Sequence, residues 1–246
     1  MAEITRTAAN AIEGVTDALN RAAVEARGAG EPAWLQQRRL DAWQSYEGMP
    51  LPTTELEQWR YTNLAKVLDL AALHLGSTKA LPDDPSSYPP ALRQAMDEDR
   101  EAAGHLVMID GAVVHTDIRA ELAERGVVLM SLRQAVRERP ELLERYLATE
   151  AVPASSSKFA ALNAALWSDG ILLYVPRGVR LEQPVRVTRW LSETGAAFFS
   201  RTLIVAEPTS QVSYVDEILS DDFEAQTLTS SAVEVLTQDG AQVQYV

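Results

Sequence analysis

Five carboxylates crowd into nine residues at Asp216, Glu217, Asp221, Asp222 and Glu224. Paired carboxylates do acid–base hydrolysis or hold a hard cation, and a stack of parallel strands can carry either kind of site. The spacing does not match a calcium loop. A solvated acidic turn is the simpler reading, with a cation or a basic partner as the functional one. Upstream, Arg177, Arg180, Arg186, Arg189 and Arg201 make a basic stripe expected on the outside of the fold. It lacks the interleaved aromatic residues that stack on single-stranded nucleic acid, so it points to a protein–protein contact.

The other chemistry-bearing patterns resolve into structure. His74, His105 and His115 fall in different predicted elements, and none has a carboxylate or a second histidine at three- or four-residue helical spacing on a shared face. Metal ligation by them is therefore not expected. Ser155-Ser-Ser-Lys158 fits the Ser-x-x-Lys pattern of penicillin-recognising hydrolases. Its companion motifs are missing, and serines before Phe159 read more simply as a linker ending in a helix cap. Gly28-Ala-Gly30 follows a helix and lacks the third glycine of a dinucleotide loop. Trp34, Trp43, Trp59 and Tyr61 read as helix-junction core, with interface anchoring as the alternative.

Composition narrows the class further. The 246 residues carry a net charge of −13, which repels nucleic acid and anionic lipid at long range. No cysteine is present, so disulfides, zinc thiolates and a cluster held by this chain's own cysteines are excluded. Neither a signal sequence nor a run of 18 apolar residues occurs, and the expected location is the cytoplasm.

The elements that position these residues divide the chain at 1–103, 104–148 and 149–246. The first segment reads as helical. Helices are expected over Asn10–Ala26, after Pro32, over Glu55–Trp59 behind a threonine cap, over Asn63–Leu75 and over Pro90–Ala103, with a proline-rich crossing at Ser77–Pro90. The second is mixed: a hairpin around Asp110-Gly111, a strand at Val127–Met130, a helix capped by Ser131 and another opened by Pro140. The third begins with a linker helix around Phe159–Leu166 and continues almost entirely as strand.

A repeat organises that last segment. A shift of 31 residues superposes Gly178, Thr209 and Gly240, and aligns Leu173 with Ile204 and Val235, Tyr174 with Val205 and Leu236, and Leu181 with Val212 and Val243. Ser210-Gln-Val-Ser-Tyr-Val215 returns as Ala241-Gln-Val-Gln-Tyr-Val246 at the same shift. Such units suggest a parallel solenoid with Val179, Leu181, Val185 and Val187 in one coil's core; an antiparallel sandwich with even strand spacing is the alternative. Leu172 and Leu203 align with Glu234, which breaks the apolar column. The sequence stops at Val246 within an apolar alternation, so a covering partner or, preferably, further chain is expected there.

Arg39-Leu-Asp-Ala-Trp43, Pro50-Leu-Pro52 and Glu57-Gln-Trp-Arg-Tyr-Thr62 resemble the amino-terminal signature of the SufB/SufD family of iron–sulfur cluster assembly proteins. Phe159-Ala-Ala-Leu-Asn163, Asp169-Gly170, Val175-Pro176-x-Gly178-Val179 and Glu182-x-Pro184 are similar to that family's entry into its strand repeat. The resemblance spans residues 32–246 and, with the lack of cysteine, favours the SufD type. It implies a helical amino-terminal region, a right-handed parallel β-helix truncated at its carboxy end, and a non-catalytic scaffold. Implied partners are the paralogous SufB-type subunit and an ABC-type ATPase, the latter through a region absent here, with a homodimer possible in isolation. The full complex would handle a nascent iron–sulfur cluster; no ligand residue carries over to this chain. The competing reading from the residues alone is a solenoid carbohydrate-active enzyme using the carboxylates at 216–224, for which Tyr214 and Phe223 are the nearby aromatic residues.

Overall fold

The computed structural model describes residues 18–77, 84–98 and 101–246. The expected Asn10–Ala26 helix lies partly outside these residues. Its described part is α1 (Arg21–Arg27), capped by the Asn20 side chain, which accepts from the Ala23 N–H at 3.0 Å. Pro32 sets the entry to α2 (Ala33–Gly48), which buries Leu35, Arg39, Ala42, Trp43 and Tyr46 along one stripe.

Beyond α2 the helical expectation weakens. Glu57–Trp59 forms only a 3-10 turn. The expected Asn63–Leu75 helix is reduced to one turn, α3 (Leu64–Val67), a 3-10 turn at Leu70–Ala72 and a strand, β1 (His74–Leu75). Two competing interactions explain the correction. The Asp69 carboxylate accepts from the Ala71 N–H at 3.0 Å, and the Gln226 side chain binds both the N–H and the carbonyl of Asp69. His74 and Leu75 then pair in parallel with Ala196 and Ala197. The 77–90 crossing is described at residue 77 and again from residue 84, where Asp84 caps a short 3-10 turn, and α4 (Pro90–Glu98) follows.

Asp110 (φ 46°) and Gly111 (φ 78°) turn the hairpin of β2 (Gly104–Ile109) and β3 (Ala112–Ile118). A short helix, α5 (Ala120–Glu124), has no counterpart in the sequence reading. Next come β4 (Val128–Ser131) and α6 (Leu132–Glu138), whose Gln134 N–H donates to the Ser131 hydroxyl as expected. α7 (Pro140–Tyr146) and α8 (Lys158–Leu166) complete the helices, α8 capped by Ser157.

The remaining strands are β5 (Asp169–Val175), β6 (Val185–Leu191), β7 (Ala196–Ala206), β8 (Gln211–Ser220), β9 (Leu228–Thr237) and β10 (Gln242–Tyr245). They form two mixed five-stranded sheets. One runs β1-β7-β5-β4 with β9 also on β7; the other runs β10-β8-β6-β2-β3. Pairing among β5 to β10 is parallel throughout, which excludes the antiparallel sandwich. In the first sheet Ile171 pairs with Thr202 and Thr202 with Val233, a constant offset of 31. Gly178, Thr209 and Gly240 all have positive φ (71°, 61° and 70°), and each turn donates its N–H to the next: Gly178 to the Pro208 carbonyl, Thr209 to that of Asp239.

The second sheet departs from the repeat once. Arg180 bridges Gln211 and Gln242 pairs Gln211, both 31 apart, but Val185 pairs Tyr214, an offset of 29. Two extra residues are accommodated in the exposed Glu182-Gln183 bend before Pro184, whose carbonyl accepts from the Ala103 N–H.

β5 and β7 are buried on both faces. Leu172, Leu203 and Val205 pack under the helices with Trp43, Leu162 and Leu166. Ile171, Leu173 and Ile204 face the second sheet, against Val185, Val187, Val212 and Tyr214. Val179 and Leu181 join that second cluster as expected.

Candidate functional site

The buried polar residues concentrate where the helices meet the stacked strands. Arg39 reaches from α2 to the end of α8: it donates twice to Glu31 (2.8 and 2.7 Å), and to the carbonyls of Ala165 and Trp167, with its guanidinium 4.1 Å from the Trp167 ring centre. Asn163 on α8 donates to the carbonyls of Ser200 (3.0 Å) and Ser230 (2.7 Å), tying the helix to both β7 and β9. Its carbonyl oxygen accepts from Arg201, which also donates to Glu234. Glu234 in turn accepts from the Ala148 N–H, at a residue with φ 54°. Burial pushes the Glu234 carboxyl above its ordinary pKa, and Arg201 with the Ala148 and Val152 N–H groups pulls it back part of the way.

Asp169 and Gly170 hold the start of β5. Asp169 accepts from the N–H groups of Val113, Arg133 and Gly170, so one carboxylate links β3, the first turn of α6 and β5. Burial raises its pKa against those three bonds. A Cβ on Gly170 would lie 1.9 Å from the Arg201 carbonyl oxygen, so only glycine permits this strand approach.

A second polar cluster sits between the sheets. Arg189 makes a two-pronged pair with Asp216 (2.7 and 3.1 Å) and donates to the Ser200 and Thr202 hydroxyls. The Tyr245 hydroxyl donates to Asp216 at 2.7 Å, and its ring stacks on Tyr214 at 5.2 Å. Burial pushes the Arg189 pKa down, but Asp216 and the tyrosines outweigh it and raise it overall. Burial likewise pushes the Tyr214 hydroxyl up.

These contacts correct the two charged sites expected from sequence. Arg189 and Arg201 are not on the outside; each is buried against a carboxylate that the strand register delivers. Arg177 and Arg180 are exposed and Arg186 is half-buried. Asp216 is taken out of the acidic run by Arg189, while Glu217, Asp221, Asp222 and Glu224 remain exposed. The run is thus not one carboxylate cluster.

The histidines find tertiary partners that spacing does not reveal. His74 meets Glu193 at 2.7 Å, and the same carboxylate accepts from the Ser77 N–H and hydroxyl. His105 is buried against the Thr188 hydroxyl, 6.1 Å ring-to-ring from His115; burial first, then His115 and Arg186, hold its pKa down to about 4. Among the described residues no group of three potential ligands gathers to hold a metal ion. Lys158 does not serve Ser155: its ammonium donates to the Tyr46 and Met49 carbonyls. Trp43 is core, Trp59 lies tilted against Phe159, and Tyr61 is 86% exposed.

Sequence reading missed the roles of Arg39, Asn163, Asp169, Arg201 and Glu234. The one available signal was Glu234, a carboxylate in an otherwise apolar column. No described helix is long and apolar enough to cross a membrane.

Comparison with known proteins covers both parts of the chain. A family model described as "SufBD protein N-terminal region" matches residues 19–187, and one described as "SUF system FeS cluster assembly, SufBD core domain" matches residues 189–246. The iron-sulfur cluster assembly protein SufD of Bacillus subtilis (strain 168) is 33% identical over 219 residues, covering 87% of this chain and 48% of that protein. An iron-sulfur cluster assembly SufBD family protein of Staphylococcus haemolyticus (strain JCSC1435) is 30% identical over 217 residues, covering 87% and 46%. The chain spans about half the length of these relatives.

Proposed function

The chain belongs to the SufB/SufD family of iron–sulfur cluster assembly proteins, and from that premise we propose that it is the amino-terminal half of a SufD-type, non-catalytic scaffold subunit. In this reading the two parallel stacks are the first coils of a right-handed parallel β-helix, supported by the offset of 31 residues across β5, β7 and β9. The natural-length protein pairs with its SufB-type paralogue in the cytoplasm and supports an ABC-type ATPase. The nascent cluster is cargo of the assembled complex, with no ligand from the residues described above.

The observation that carries the non-catalytic reading is the engagement of Asp216. Its two oxygens are occupied by Arg189 and Tyr245, and its side chain is 8% exposed. A hydrolytic carboxylate pair needs one group free to exchange a proton with substrate or water. Asp216 is thereby withdrawn from the carbohydrate-active alternative at 216–224, which is left with the exposed Glu217, Asp221, Asp222 and Glu224.

The test is co-purification. The natural-length protein, expressed with its paralogue and the ATPase, is expected to elute as one complex at stoichiometric ratio. Elution of a clean monomer under the same conditions overturns the proposal.

A further inference from the structure

The helical region leaves apolar surface in solvent beside a large groove. Leu56, Tyr61 and Val67 are 50%, 86% and 61% exposed, within twelve residues of each other. The adjoining groove has a volume of about 1170 Å³, and its apolar wall is made by Met49, Leu51, Leu64, Leu68 and Leu70. That exceeds the roughly 300–1,000 Å³ of sites built for small molecules. Between the two lining stretches the chain is anchored by Trp59, whose ring lies 5.6 Å from that of Phe159.

Charge specifies the kind of occupant. Glu47 and Asp69 line the groove and Glu55 is exposed beside it. Gln226 clasps the Asp69 backbone in both directions, at 2.9 and 3.1 Å, which holds that part of the rim in place. The cations nearby are largely committed within the fold. Lys158 is bound to the Tyr46 and Met49 carbonyls, Arg60 pairs with Glu57 and stacks on Tyr61, and Lys66 is the opposing charge on the exposed helical turn.

We propose that this groove docks a basic amphipathic helix of a partner protein. Apolar side chains at i, i+3, i+4 and i+7 enter between Leu51, Leu64 and Leu68, and the lysine or arginine face meets the acidic rim. The proposal rests on the groove and its rim alone, and stands or falls separately from the cluster-assembly reading.

The experiment titrates the whole chain with an 18-residue helical peptide of leucine and lysine, and with a leucine–glutamate peptide of the same pattern. Saturable one-to-one binding of the lysine peptide is expected, together with slowed amide exchange confined to residues 47–70. The paired reversal Glu47→Lys with Glu55→Lys, and separately Val67→Asp, should each weaken binding roughly tenfold. The distant reversal Glu121→Lys with Glu124→Lys should leave it unchanged. All these side chains are exposed, and matching melting midpoints confirm that the variants fold. Lack of saturation, equal binding of the glutamate peptide, equal weakening by the distant reversal, or slowed exchange elsewhere overturns the proposal.

Discussion

Arg201 on β7 and Glu234 on β9 meet at 2.8 Å with neither side chain exposed, and Asn163 on α8 completes the contact. The pair belongs to one buried unit joining helix to strand stack. Removing one partner strands a charge in a low-dielectric interior, whereas replacing both removes the desolvation penalty with it. Glu234→Ala is therefore expected to cost about 3–5 kcal/mol of stability. The double change Arg201→Met with Glu234→Leu should cost less than that single change. Urea midpoints of the unaltered protein, Arg201→Met, Glu234→Leu and the double variant make the cycle; a double variant as unstable as the sum of those singles would show the two residues to be uncoupled.

Two glycines predict opposite outcomes. A Cβ at Gly170 meets the Arg201 carbonyl oxygen, part of a neighbouring strand that cannot yield without moving β7. Gly170→Ala should destabilise by about 3 kcal/mol or more. Gly48, the last residue of α2, has nothing within 4 Å of the point where an alanine methyl would stand. Gly48→Ala should stabilise by about 0.5–1 kcal/mol. Thermal unfolding of both variants provides the comparison.

The middle turn of the repeat carries a β-branched residue where its neighbours carry glycine. Thr209 has φ 61°, a left-handed conformation that costs a non-glycine residue about 1–2 kcal/mol. Its hydroxyl donates to the Pro208 carbonyl at 2.6 Å and recovers part of that. Thr209→Gly is expected to raise the melting temperature, with a gain on the order of 1 kcal/mol. A lower melting temperature would show that the hydroxyl bond outweighs the backbone strain.

Stability should also depend on His105. Its folded pKa, about 4, lies below the ordinary 6.5. As pH falls from 6.5 towards 4 the unfolded chain takes up a proton that the folded chain refuses, so this residue lowers stability across that window. His115, Arg186 and Asp117 face it, the first two holding the value down and Asp117 raising it. His105→Phe should flatten the loss of unfolding free energy between pH 7 and pH 5. An unchanged slope would assign the dependence to other groups.

The proposed pairing with the paralogue gives a further expectation for the natural-length protein. Reversing Arg177, Arg180 and Arg186 to glutamate should weaken the complex more at low salt than at high. Arg189 and Arg201 are left out of that test because their reversal would bury like charges against Asp216 and Glu234. Equal weakening at both salt concentrations would remove charge steering from the contact.

Much of the fold was legible because its rules are local. Ser131, Pro140 and Ser157 open helices through hydrogen bonds and ring geometry within four residues, and Asp110-Gly111 turns the hairpin because both adopt positive φ. The 31-residue shift was legible too, since stacked strands must repeat their inward side chains. The helix expected over Asn63–Leu75 failed where Gln226 and β7, more than a hundred residues away, claimed its backbone.

Residue order alone was enough for the capped helices, the hairpin, the offset between strands and the SufB/SufD family motifs, because each depends on neighbours in the chain or on simple periodicity. Which charges face solvent was settled by the folded arrangement. Arg189 and Arg201 lie within strands as Arg186 does, yet they are buried, because parallel register brings Asp216 and Glu234 within reach across 27 and 33 residues. A guanidinium leaves water only where a carboxylate and further acceptors replace its hydration, and that pairing is a property of the folded stack.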